Sequence, residues 1–308
     1  MDLALELGVR ADLRGERAVQ KYLAKQKERF EKLSQKEKAD FDKERLVNPY
    51  MDSGVWVDNG QPVKKVLAGI DISGAELLAA KEIKADTILS HHPLGRGLAA
   101  LDEVMHLQAD VLAMYGVPIN VAESLLRLRV SEVGRGVHAV NHYKTVDAAR
   151  LLNINLLNVH TPCDNLVASF LKQEVERKKP EYIGELIDII KNIGEYKRSA
   201  ELGVPLKLFA GTEENRAGRI AFTEITGGTE GSKDIYQALS TAGVGTIVAM
   251  HLSEEHRKNA EAAHLNVLVA PHIASDSLGM NLFLDELEKK GIEIIPCSGL
   301  IRVKRIKK

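Results

Sequence analysis

Two adjacent histidines, His91 and His92, end the short apolar run Thr87-Ile88-Leu89-Ser90 and are stopped by Pro93. In the body of a strand, neighbours point to opposite faces; at its last turn into a loop both imidazoles can swing forward and serve neighbouring metal ions. Two further stretches carry metal-type ligands in the same kind of place: His160-Thr161-Pro162-Cys163-Asp164, and His272 with Asp276. At a helix start, the His272–Asp276 spacing puts imidazole and carboxylate on one face, a turn apart. Mixed imidazole and carboxylate ligation suits Zn, Mn, Fe or Ni better than Ca or Mg. A pair of such ions supports metal-assisted hydrolysis of a small-molecule substrate. Each motif also has a plain reading. Asp164 and Asp276 can be helix caps, His160 a satisfied core histidine, and Cys163 a small buried residue. Their convergence is what argues for a site.

That convergence depends on the elements that deliver the residues. From Lys65 onward, short apolar runs alternate with helical stretches, the pattern of an α/β fold with mostly parallel sheets. Runs at 66–70, 87–89, 154–159, 246–250 and 266–270 read as buried strands. Asp71, His91, His160, His251 and His272 follow them. With His92, these strand ends hold five of the ten histidines, where ligands of open α/β sheets bind. His160 and His251 are therefore candidate acid–base groups as well. Residues 117–121 read as an extended piece with Pro118 early in it, 195–205 as a loop, and 300–303 as a short extended segment. A helix is expected over 233–242, preceded by Gly227-Gly228-Thr229-Glu230-Gly231-Ser232. Such a loop can offer backbone N–H groups and a helix N-terminus to a phosphate, which makes Gly228, Glu230 and Ser232 candidate substrate contacts. It lacks the Gly-Lys-Ser/Thr ending of a P-loop, so a plain strand-to-helix turn is the competing reading. No repeat of fixed short period is evident.

The chain has 308 residues, room for two domains. A formal net charge of −1 gives no overall pull toward nucleic acid or an anionic membrane surface. Two cysteines, Cys163 and Cys297, are too few for a disulfide scaffold, and no apolar stretch approaches a membrane span, so a cytoplasmic location is expected. Residues from about 10 to 45 are dense in charge with thinly spaced apolar positions, the pattern of solvated helices lying on the surface or against a partner subunit.

Ser90-His91-His92-Pro93-Leu94, His160-Thr161-Pro162-Cys163-Asp164 and His272-Ile273-Ala274-Ser275-Asp276 resemble, in order and spacing, the motifs of the Nif-three-like family, which includes type 2 GTP cyclohydrolase I proteins. Asp52-Ser53-Gly54 looks like that family's early Asp-Asn-x-Gly signature, and the resemblance runs from about residue 48 to 302. It implies two interleaved α/β domains with mixed, mostly parallel sheets and a homohexamer. The corresponding division is a charged helical extension at 1–47, a metal-binding domain at 48–195 and 265–308, and a second α/β domain at 196–264. Five ligands for two divalent ions are implied: His91, His92, Asp164, His272 and Asp276. The implied activity is hydrolytic ring opening of GTP or a related nucleotide; a metal-holding or scaffold protein without turnover is the alternative. The family usually carries Glu where this chain has Asp276, and Gly where it has Pro271. The side chain is one methylene shorter, so the expectation is reduced reach for bridging two ions.

Overall fold

The computed structural model describes residues 1–306. Its strands fall into two sheets. The first takes β1 (Gly54–Val57), β2 (Lys65–Gly69), β3 (Thr87–Ser90) and β4 (Asn155–Asn158). The second takes β5 (Lys207–Ala210), β6 (Arg219–Glu224), β7 (Val244–Ala249) and β8 (Asn266–Val269); β9 (Glu293–Cys297) then returns to the first. In space the orders are β1-β4-β3-β2-β9 and β5-β8-β7-β6. β1 runs antiparallel to β4 and β5 to β8, while the remaining pairings are parallel. The second sheet thus repeats the topology of the first four strands, a regularity that no short period in the sequence announces. The chain is an α/β protein with two mixed, mostly parallel sheets flanked by helices and preceded by N-terminal helices.

Helices cover both sheets, so the central strands read as continuous apolar runs: all four residues of β3 are buried. The fourth strand of each set feeds an 18-residue helix, Thr161–Lys178 after β4 and His272–Lys289 after β8. Pro162 sits in the first turn of the former, where its missing N–H costs no helical bond. These two helices pack closely. A Cβ on Gly279 would lie 2.3 Å from the carbonyl oxygen of Cys163, so only glycine permits the approach.

The N-terminal segment divides. Glu16–Glu31 buries only Val19, and Gln35–Asp40 buries nothing, as their charge density predicts. The first helix, Asp2–Ala11, instead packs on Thr161–Lys178, with Ala4 and Gly8 buried. A Cβ on Gly8 would lie 2.7 Å from Pro162 Cα. Tyr50 and Asn165 clamp the helix end, the tyrosine hydroxyl donating to Asp12 Oδ2 (2.8 Å) and Asn165 Nδ2 to the Gly8 carbonyl (3.2 Å).

Three local expectations are corrected. Residues 117–121 are not extended: Pro118 caps a 20-residue helix, Ile119–His138, whose buried Ala122, Leu126, Val130 and Val133 recur at helical spacing. Much of the expected loop is helical, in the helix Gly194–Glu201, with Glu195 buried and held by the Arg305 guanidinium at 2.6 and 2.7 Å. Residues 300–303 pair with no strand. They bond to the flank of His272–Lys289, Ile301 N–H donating to Ser277 Oγ (2.9 Å) and its carbonyl accepting from Asn281 Nδ2 (2.8 Å).

Candidate metal centre

The C-terminal ends of the parallel strands bring together five histidines. His91 and His92 follow β3, and His160 opens the helix after β4; His251 follows β7, and His272 opens the helix after β8. Ring centroids lie 5.1 Å apart for His160–His91, 5.3 Å for His91–His92, and 5.5 Å for both His92–His272 and His272–His251. Asp164 and Asp276 each stand four residues after a histidine, His160 and His272, and both are essentially without solvent exposure.

The donor atoms fall into groups, each spanning no more than 4.8 Å: His91 with Asp164 and Asp276, His92 with His272 and Asp276, and His91 with His92 and His160. His91 Nε2 lies 3.3 Å from Asp164 Oδ1 and 3.4 Å from Asp276 Oδ1. Asp276 Oδ2 lies 3.4 Å from His92 Nε2 and 3.5 Å from His272 Nε2. The two oxygens of Asp276 thus face different groups, and the close helix contact at Gly279 lies one turn further along.

Whether these residues fit a metal is tested by their hydrogen bonding. His91 Nε2, Asp164 Oδ1 and both Asp276 oxygens are buried without a hydrogen-bond partner among the described residues. Each such orphan costs about 1–3 kcal/mol, more for a charged group. Four orphans facing one another form a set of donor atoms that a cation would satisfy together.

The opposite nitrogens are anchored. His91 Nδ1 lies 3.3 Å from the Val159 carbonyl, His92 Nδ1 2.7 Å from Asp71 Oδ1, and His160 Nδ1 2.7 Å from Asp52 Oδ2. Each bond fixes a ring so that Nε2 is presented to the cluster, the arrangement that orients metal-binding histidines. Asp52 is buried, also accepts from Thr161 Oγ1 (2.6 Å), and comes from a segment 108 residues before His160. No strand or helix pattern marks it; the Asp52-Ser53-Gly54 signature was the one signal available.

Electrostatics follow from this crowding. Burial by itself lowers the pKa of His91, but Asp276 and Asp164 outweigh it and hold the imidazole well above its ordinary value. Burial would raise Asp276, yet His91, His92 and His272 hold its carboxyl far below the usual range. His272 is shifted downward by burial, then by His92 and His91, against the pull of Asp276. Burial and His272 push His251 down to about 4.

A cleft of about 240 Å³ opens beside the cluster, with His92, His160, His251 and His272 on its wall and Gly228 and Glu224 also lining it. Of the three substrate-contact candidates, only Gly228 lines this cleft. Gly227 and Gly228 adopt φ of 94° and 96°, and Gln108 Nε2 ties down the carbonyls of Gly227 (2.9 Å) and Thr229 (2.7 Å). The chain then turns away. Glu230 accepts from the Ser253 N–H (2.9 Å), Ser232 Oγ from the Asp234 N–H (3.3 Å), and both line an outer groove instead. The helix expected from residue 233 starts at Ile235 and has only seven residues, so no helix N-terminus follows the glycines directly.

The family model described as Duf34/NIF3 (NGG1p interacting factor 3) matches residues 35–114, a segment carrying Asp52, Asp71 and the His91-His92 pair. The chain is similar to the crystal structure of a NIF3 superfamily protein from Sphaerobacter thermophilus, with 28% identity and a TM-score of 0.74 over 81% of this chain and 92% of that one. Reduced HcgD from Methanocaldococcus jannaschii shares the fold, at 16% identity and a TM-score of 0.50 over 79% of this chain and 88% of that one. No curated protein sequence matches. With the fold and its candidate metal-binding clusters already in hand, these comparisons lead to one conclusion: the chain is similar to NIF3/Duf34 proteins, in sequence over residues 35–114 and in fold over most of its length.

Proposed function

We propose that this protein binds a pair of divalent transition-metal ions and hydrolyses a small molecule beside them. A single observation carries the reading: three stretches far apart in the chain place four unpartnered polar atoms, from His91, Asp164 and Asp276, at one buried point. In this reading His91, Asp164 and Asp276 hold one ion, and His92, His272 and Asp276 the other. We place His160 with the ligands, as a further donor beside His91 and His92, rather than with the acid–base groups, because Asp52 fixes its ring as Asp71 fixes that of His92. Two such ions supply Lewis acidity toward a substrate oxygen and toward water.

The remaining work falls to the chain. His251, on the cleft wall and making no hydrogen bond through its buried Nδ1 among the described residues, is the acid–base candidate. Gly228 presents bare backbone to a ligand. The cleft lining includes no Lys or Arg among the described residues, so any cationic side chain the wall offers a phosphate is a histidine. The resemblance in the motifs makes GTP the first substrate to try and a homohexamer the first assembly to look for.

The test is elemental analysis of protein purified without added metal, followed by product analysis with GTP and a panel of cyclic amides and phosphate esters. About two equivalents of one transition metal per chain, with turnover abolished by His91→Ala and His272→Ala, supports the proposal. Under about half an equivalent after reloading refutes the ion pair. Tight binding without turnover across the panel assigns a metal-holding role instead.

A further inference from the structure

Glu224 is the last residue of β6 and lines the cleft, with only 5% of its surface exposed. In the repeated topology its strand end corresponds to that of β2. There Asp71, two residues beyond the strand, holds His92. Glu224 holds no histidine. Its Oε2 accepts the Gly231 N–H at 3.0 Å, while Oε1 makes no hydrogen bond among the described residues. The backbone can come this near only because residue 231 is glycine: a Cβ there would lie 3.0 Å from Glu224 Oε1 and 2.7 Å from Gln108 Oε1.

Among the described residues no cation bonds this carboxyl directly. Arg129, from the helix Ile119–His138, donates Nε to the Glu230 carbonyl (3.0 Å) and Nη1 to Glu132 (2.9 Å). Glu230, beside it in the loop, is itself an acid. Gln108 is neutral. Tyr236, from Ile235–Thr241, has a buried hydroxyl without a partner among the described residues, and its ring meets His256 of Glu254–Ala262 edge-on. His256 in turn bonds Ser253 Oγ (2.6 Å) and the Gly231 carbonyl (3.2 Å). A buried carboxyl with no cation bonded to it and an acidic neighbour favours its protonated form. Burial pushes Glu224 up to about 8, against the Gly231 N–H, with help from Glu230 and against a smaller pull from the Arg129 guanidinium.

We propose that Glu224 is a ligand-recognition residue of the cleft: as an undissociated acid, it donates a hydrogen bond from Oε1 to an acceptor atom of the small molecule held at the ion cluster. Oε2 remains the acceptor for Gly231, so one side chain both shapes the loop and reads the ligand. The inference rests on the metal-cleft reading above. It narrows the ligand class to small molecules that pair a metal-binding group with a neutral or anionic hydrogen-bond acceptor, and it disfavours those presenting a donor or a cation at that point. Carboxylic acids kept neutral by apolar surroundings serve as donors in this way elsewhere.

The experiment uses zinc-loaded full-length protein freed of excess metal, with inorganic phosphate as the probe. Calorimetric affinities are compared for wild type and Glu224→Gln at about pH 7 and about pH 9.5, either side of the carboxyl's titration. Glutamine keeps a neutral donor and an acceptor for Gly231 at both values. Wild type should lose roughly tenfold in affinity relative to the variant at the higher pH, the size of one charge-assisted hydrogen bond. Infrared difference spectra should show a protonated-carboxyl band at neutral pH that Glu224→Gln lacks and that phosphate shifts. Identical pH profiles in the two proteins, no phosphate binding by loaded protein, or no such band would overturn the role of Glu224 alone. Failure to load zinc at all would overturn the metal-cleft reading, and this role with it.

Discussion

The two sheets share a topology but not the way they hold their histidines. On the first, His91, His92 and His160 are each pinned through Nδ1 by the Val159 carbonyl, Asp71 and Asp52. On the second, His272 is 40% exposed in its side chain, and neither it nor His251 hydrogen-bonds an acceptor among the described residues. The same architecture thus supplies a preorganised half and a looser half. Asp276 joins them, one oxygen toward each. Preorganisation sets affinity, because an imidazole already oriented loses less freedom when it binds. Looseness leaves room for a ligand beside the cluster.

Removing the joint should have the largest effect. Asp276→Asn keeps the volume and takes away the charge that both groups share, so metal content should fall from about two equivalents to below about half, read by elemental analysis. Asp52→Asn leaves every direct candidate ligand in place but frees the His160 ring; metal affinity should drop roughly 10–100-fold in competition with a chromophoric chelator. If affinity is unchanged, the anchored half is not preorganised in the way described. Gly279→Ala tests the seam between the two helices. The added methyl meets the Cys163 carbonyl, and thermal or denaturant unfolding should show a loss of about 1–3 kcal/mol, with weaker metal binding as Asp276 moves away.

His251→Ala should leave metal content unaltered while changing ligand binding, which separates the looser half's cleft residue from its ligand residues. A fall in metal content would place His251 among the ligands. Glu224→Gln should also leave metal content alone and, besides the pH profile of ligand affinity, alter the pH dependence of stability. The folded carboxyl titrates at about 8 against an ordinary value of 4.5. Its contribution is therefore fully present below about 4.5, declines as pH rises through that window, and is lost above about 8. The variant should match wild type near pH 4 and exceed it in melting temperature at about pH 9. Equal melting temperatures at both ends would show that Glu224 is ionised in the fold.

Much of this arrangement was legible in the sequence. The runs that became β2, β3, β4, β7 and β8 are short, apolar and terminated by chemistry-bearing residues, so their ends could be aligned without knowing their order. The helix Ile119–His138 was misread because Pro118 suits both a strand start and a helix start, and the buried positions at helical spacing beyond it decide the matter. Gly194–Glu201 looked like a loop because its polarity hides buried Glu195, whose partner Arg305 lies 110 residues away. The role of Glu224 was invisible for the same reason, and Asp52 showed only through the Asp52-Ser53-Gly54 signature, because what each side chain holds depends on what the fold brings near.

Residue type and spacing alone determined which donor atoms this protein offers, since imidazoles and carboxylates at strand ends and helix starts are chemistry written in one dimension. Tertiary structure decided which of them meet and which are anchored. Parallel strands stack their carboxyl ends on one side whatever their sequence, but how closely the helices carrying Asp164 and Asp276 approach depends on a glycine contact between them. Only packing in three dimensions fixes such a separation.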